Sequence, residues 1–220
     1  MHVERQDTVE DAERLRARLR HVRWLGGGSG SGKSTTARRL AGHGLHLYAT
    51  DDVMADHAGR CTPEDAPYLR GFAEMDMDER WVNRSPDAML DTFHWFQGEG
   101  FHLIVEDLLR LPESPGVIVE GFRLLPRLVR PYLTEPAQAV WLLPTPAFRE
   151  AAFASRGTLW DIPRRTSAPE KALRNLLDRD RMFTDRLRAE AGGLGLPVIE
   201  VDPTVTEDDL TERVTQAFGL

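Results

Sequence analysis

The chain has 220 residues, 41% of them hydrophobic and 29% charged, with a formal net charge of −7. Such a length suits one well-buried domain, the composition is too apolar for disorder, and the sign of the charge argues against a broad nucleic-acid-binding face. A single cysteine, Cys61, rules out an internal disulfide and any cysteine-built metal site. The charged segment 1–20 is unlike a secretion signal, and no apolar run approaches the ~20 residues that a membrane span needs, so a cytoplasmic protein is expected, with neither membrane nor nucleic acid as partner.

Thr8, followed by Asp11, resembles a helix N-cap, and Ala12, Leu15, Leu19 and Val22 recur at helical spacing, which predicts a helix within residues 1–20. A strand over 21–25 then runs into Gly26-Gly27-Gly28-Ser29-Gly30-Ser31-Gly32-Lys33-Ser34-Thr35, followed by a helix to about Ala41 that Gly42 and Gly44 stop. Four further apolar runs bounded by Gly, Pro or Asp read as buried parallel strands, at 45–49, 117–120, 139–143 and 198–201. Helical patterns separate them at 86–111, 146–156, 169–191 and 207–218. Alternation of this kind predicts a single α/β domain over 1–220, with a five-stranded parallel sheet covered by helices on both faces. Two stretches break the alternation: 52–87, which with the following helix forms an insertion over 52–111, and the Arg- and Pro-rich 157–168, which reads as a lid.

Gly27 to Ser34 match G-x-x-x-x-G-K-S between a strand and a helix, the setting that a Walker A phosphate loop requires. Glycines let successive amides turn inward, and the helix behind them adds the positive end of its dipole. In such a loop Gly27, Gly28, Ser29, Gly30, Ser31 and Gly32 cradle phosphates, Lys33 bridges the β- and γ-phosphates, Ser34 holds Mg²⁺ and Thr35 reaches the α-phosphate.

On these residues the chain resembles the P-loop small-kinase group, which includes adenylate kinase-like enzymes, shikimate and gluconate kinases, polynucleotide kinase and chloramphenicol phosphotransferase. The resemblance runs through residues 21–220 in the order of elements, and the phosphate loop is its specific part. It implies a P-loop NTPase three-layer fold with strand order 2-3-1-4-5, ATP and Mg²⁺ as cofactors, and phosphoryl transfer to a small-molecule acceptor.

The same resemblance assigns roles beyond the loop. Asp51 and Asp52 follow the second strand; Asp51 is the expected base for the acceptor hydroxyl and Asp52 its neighbour, the other reading being that both cap the next helix. Glu120 ends the third strand, where an acid orients a Mg²⁺-bound water, contacts the acceptor beside Gly121, or serves structure alone. Between Arg149 and Arg188 ten basic residues face six acids. Among Arg149, Arg156, Arg164, Arg165, Arg174, Arg179 and Arg181, the expected catalytic cations are Arg156, which also touches nucleotide, and the lid pair Arg164-Arg165; solvated ion pairs with Asp178 and Asp180 are the alternative. Asp202-Pro203 either wraps the adenine or forms a plain turn. Phe72, Trp81, His94, Trp95 and Phe96 line an acceptor pocket or belong to the core, and the histidines show no metal-ligand spacing.

Between Thr50 and Ala88 ten acids oppose four arginines. Such a segment suits an uncharged or cationic acceptor with a hydroxyl: a nucleoside, a sugar-like metabolite or an antibiotic. Arg84 and Arg123, together with Arg80, are the residues through which a phosphate-bearing acceptor would be gripped. A nucleoside monophosphate kinase is therefore the nearest alternative, and a P-loop NTPase switch without acceptor a further one, though no N-K-x-D guanine signature is present.

Overall fold

Five short apolar segments form one sheet, all parallel, in the order β2-β3-β1-β4-β5, as expected for the α/β class. The computed structural model describes the backbone of residues 3–220 and the side chains of residues 11–220 other than Arg156. In chain order the elements are α1 (Val3–Arg18), β1 (Val22–Gly27), α2 (Lys33–Ala41), β2 (His46–Ala49), α3 (Met54–Arg60), α4 (Pro67–Glu74), α5 (Pro86–Thr92), α6 (His94–Gln97), α7 (Phe101–Arg110), β3 (Val117–Glu120), α8 (Pro126–Val129), β4 (Ala139–Pro144), α9 (Pro146–Arg156), α10 (Pro169–Gly193), β5 (Val198–Val201) and α11 (Glu207–Phe218). Because α1 starts at Val3, Thr8 lies inside it and not at its cap.

Strand side chains alternate between two cores. Trp24, Val117, Val119, Trp141 and Leu143 pack with Ile104 and Leu108 of α7 and Phe183 and Leu187 of α10. Leu25, Ile118, Val140 and Leu142 point the other way, onto Ala37 and Leu40 of α2 and Leu210, Val214 and Phe218 of α11. Both faces are dry over β3 and β4, which is why these strands are continuously apolar and why each of their larger side chains contributes about 1.5–3 kcal/mol over leaving it exposed, whereas the edge strands β2 and β5 are partly open and carry His46 and Glu200.

The helix expected over 86–111 is three helices. Phe93 adopts extended backbone between α5 and α6, and Gly98 and Gly100 take left-handed conformations before α7, at φ 92° and 69°. Packing drives the break: it seats Phe96 in a stack on Phe183 of α10, ring centres 3.7 Å apart, and packs Phe93 edge-on against Phe72. Residues 52–87, expected to be irregular, hold α3, α4 and a π-helical turn at Glu79–Asn83. Residues 157–168 form turns and one 3₁₀ turn at Pro163–Arg165, and the Ser167 amide donates to Asp78 at 2.8 Å, tying this segment to the insertion. Among the described residues no helix is long and apolar enough to cross a membrane.

Candidate functional site

At the carboxyl edge of the sheet β1 ends in Gly27, where a Cβ would lie 2.1 Å from the Leu142 carbonyl oxygen and φ is 137°, so only glycine fits. Gly32, at φ 87°, opens α2, and no side chain caps that helix, so its first-turn amides are available to an anion. Lys33 curls back over the loop and is 7% exposed; its Nζ donates to the Gly28 carbonyl at 2.7 Å and to Ser31 Oγ at 3.3 Å.

Strand register brings two acids to this loop. Glu120 pairs with Leu25 of β1 and with Ala49 of β2, so the ends of β2 and β3 are level, β1 runs two residues further to Gly27, and Asp51 lies just past the same edge. Glu120 is 4% exposed. Burial pushes its carboxyl pKa up, Lys33 pulls it down, Asp51 adds to the rise and the Ser34 hydroxyl opposes it. Asp51 is open to solvent yet its pKa is also pushed up, first by the surrounding protein, against the pull of Lys33 and Arg123 and with Asp52 adding. No side chain caps α3, whose N-cap is Val53, so the reading of Asp51 and Asp52 as its caps does not hold. Lys33, Ser34, Asp51 and Glu120 therefore form one constellation, with hard oxygen donors at Ser34 and Glu120 that suit Mg²⁺.

Gly121 serves the constellation in an unexpected way. Its φ is 154° and a Cβ there would fall 1.7 Å from Thr50 Oγ1, so glycine is needed here to make room for Thr50. The Thr50 amide donates to the Glu120 carbonyl at 2.9 Å, locking the two strand ends together.

Two cavities flank the loop. The larger, about 470 Å³, is lined by Gly32 and Thr35, by Ala152 and Ser155 of α9, and by Pro203 and Val205 after β5. Arg156 ends α9 beside it, its side chain lying outside the described residues. Asp202 shapes the rim without lining it: its carboxylate accepts from the Thr204 amide and hydroxyl at 2.8 and 2.6 Å, bonds that hold its pKa below the usual range. The smaller cavity, about 210 Å³, lies between Ser29, Phe153, Leu159, Pro163 and the pair Arg179-Asp180.

Arginines divide sharply by environment. Arg179 is 7% exposed; its Nε and Nη2 donate to Asp180 at 3.0 and 2.7 Å, its guanidinium lies 5.1–5.2 Å from the rings of Trp81, Phe93 and Phe96, and its Nη1 has no hydrogen-bond partner. Arg149 is also buried, donates to Thr184 and sits beside Gly30, with burial lowering its pKa. Arg164 and Arg165 are exposed. Arg80 donates to the Phe72 and Ala73 carbonyls, and Arg84 to the Ala88 carbonyl and Thr92 hydroxyl. Arg123 is 1% exposed and bonded to His57 and to the carbonyls of Thr50 and Gly100.

Of the aromatic candidates, Trp81, Trp95 and Phe96 are buried and Phe72 packs edge-on against Trp81. His94 is buried among them and burial drops its pKa to about 4, so it is neutral. Arg179 carried no more signal in the sequence than six other arginines. What distinguishes it is a wall of rings supplied by residues 81–96, far away in the chain. Among the described residues no three His, Cys, Asp or Glu side chains gather into a metal cage. Comparison with protein-family models and with curated proteins finds no match for the chain.

Proposed function

We propose that the protein is an ATP- and Mg²⁺-dependent kinase that transfers a phosphoryl group to a hydroxyl of a small, unphosphorylated acceptor. The observation that carries this reading is the convergence of Lys33, Ser34, Asp51 and Glu120 at the mouth of a glycine-built anion loop, at the sheet edge where ligands bind in open α/β folds. ATP lies with its phosphates on the loop amides and its base in the larger cavity, between α9 and the turn after Asp202. Mg²⁺, when bound, supplies neutralising charge between phosphate oxygens, and Ser34 and Glu120 are the residues that would hold it. Lys33 exchanges its loop contacts for phosphate oxygens. Asp51, made more basic by desolvation, takes the proton of the attacking hydroxyl. Arg179, clamped by Asp180 and with one donor unpaired, faces the charge that spreads over the transferred group.

One observation supports an acceptor without phosphate. Arg80, Arg84 and Arg123, the cations that would grip one, each donate to carbonyls or side chains of the protein itself, with Nε of Arg123, buried, left as a donor without a partner. A nucleoside, sugar-like metabolite or antibiotic fits better than a nucleoside monophosphate. An ATP-using enzyme with a single cysteine also fits the cytoplasm.

The test is ADP release from Mg·ATP, screened over nucleosides, sugars, antibiotics and nucleoside monophosphates. Release that depends on one of the unphosphorylated acceptors is expected. Release that ignores every acceptor makes the protein an NTPase, and release confined to monophosphates overturns the acceptor class. Asp51→Asn should keep ATP binding and lower transfer by about 10²–10⁴-fold.

A further inference from the structure

The carboxyl of Asp51 is exposed and no side chain caps α3; the groups that act on it include Lys33, Arg123 and its chain neighbour Thr50. Its chain neighbour is held firmly. Thr50 is fully buried, wedged against Gly121, and its carbonyl accepts from Arg123 Nη1 at 3.4 Å. Arg123 in turn lies 4.0 Å from the ring centre of Trp95 and donates from Nη2 to the Gly100 carbonyl at 3.3 Å and to His57 Nδ1 at 3.0 Å.

A guanidinium has no acceptor to offer, so His57 Nδ1 must be the bare nitrogen. The ring proton then sits on Nε2 and is donated to Asp107 Oδ2 at 2.8 Å. Asp107 is anchored from several sides: it also accepts from Tyr48 at 2.7 Å, from Arg110 at 3.0 Å and from Arg60 at 3.3 Å. Tyr48 lies on β2, two positions before Thr50. The hydrogen bonds therefore close a ring around the end of β2, from Tyr48 through Asp107, His57 and Arg123 to Thr50.

We infer that His57 is a positioning residue, which passes the anchorage of Asp107 through Arg123 to Thr50 and so fixes where Asp51 stands. His57 is 0% exposed, so it acts on transfer through its neighbours. The inference rests on the kinase reading only for the role given to Asp51; the mechanical coupling is independent of it. A buried imidazole also costs free energy that an apolar side chain of similar volume would not, unless both of its nitrogens are used, as they are here.

Two variants separate the bonds from the volume. His57→Leu fills the space and removes both bonds; His57→Gln keeps one acceptor and one donor. The first readout is ¹⁵N NMR of the wild-type imidazole, where a bare Nδ1 and a protonated Nε2 are expected and the opposite tautomer overturns the inference. The second is backbone amide exchange at Thr50 and Asp52. His57→Leu should speed it about tenfold relative to amides of β4, with His57→Gln near wild type; unchanged exchange, or equal acceleration in β4, overturns the coupling. Should His57→Leu fail to fold, Asp107→Asn, which removes the anchoring charge, takes its place with the same expectation. The third is ADP release from Mg·ATP with water as acceptor: His57→Leu should lower kcat by about 100-fold while KM for ATP stays within about twofold. Exchange that responds while turnover does not leaves the coupling standing and removes Asp51 as base, so the two failures are distinguishable.

Discussion

Where α10 passes the glycine loop, Arg179 is clamped by Asp180, walled by Trp81, Phe93 and Phe96, and nearly closed to solvent; in the segment 157–168, Arg164 and Arg165 stand exposed. The two sets carry the same charge and differ in how much of its worth is available to a ligand. A guanidinium in water is screened and must be immobilised on binding, whereas one already desolvated and fixed acts at low dielectric with little further ordering. Lys33 belongs with Arg179 in this respect, being buried and bonded along its own loop. Density of arginine along a chain therefore says little about which arginine is buried and fixed.

The comparison breaks most directly if Arg179→Ala leaves turnover intact: the expected loss of kcat is about 10³-fold, with partial rescue by added guanidinium ion in a steady-state ADP assay. Lys33→Ala should follow, lowering kcat/KM for ATP by about 10²–10³-fold, and calorimetry with Mg·ATP should register the weakened binding. Burial also presses on neighbouring bases. His94 has its pKa depressed to about 4, by burial first and then by Arg123 and Arg80, so the unfolded chain takes up that proton before the native one as pH falls. Stability from this group is complete above pH 6.5 and is lost between there and pH 4, by roughly 3 kcal/mol, and denaturant titrations of His94→Phe should show a flatter profile over that window. Gly121→Ala, forced into φ 154° and into Thr50, should cost about 1–3 kcal/mol in thermal or urea unfolding. The smallest effect belongs to Arg164→Ala, expected within about 0.5 kcal/mol of wild type in stability and well short of Arg179→Ala in kcat. A larger kinetic loss at Arg164 than at Arg179 would show that the exposed set closes over the nucleotide and carries the transfer.

Legibility followed the range of the interactions. β3, β5, α9 and α11 lie at the residues that local pattern indicates, since short apolar runs and Thr145 or Thr206 as caps are local signals. Residues 86–111 misled because their apolar spacing is helical while the break depends on α10: Phe96 leaves the helix line to stack on Phe183. The partners of Arg123 could not be read from its neighbours in the chain, because Thr50, Gly100 and His57, which take its Nη donors, lie 23 to 73 residues away.

By itself the sequence determined the anion loop and the alternation that makes a parallel sheet, because each is written within a few consecutive residues whose backbone freedom or periodicity suffices. Only the tertiary structure decided that Glu120 is buried within reach of Lys33 and Asp51, that Thr50 fills the space beside Gly121, and which arginines are desolvated beside the loop. Those outcomes depend on strand register and on packing between segments far apart in the chain, and no local free energy distinguishes them.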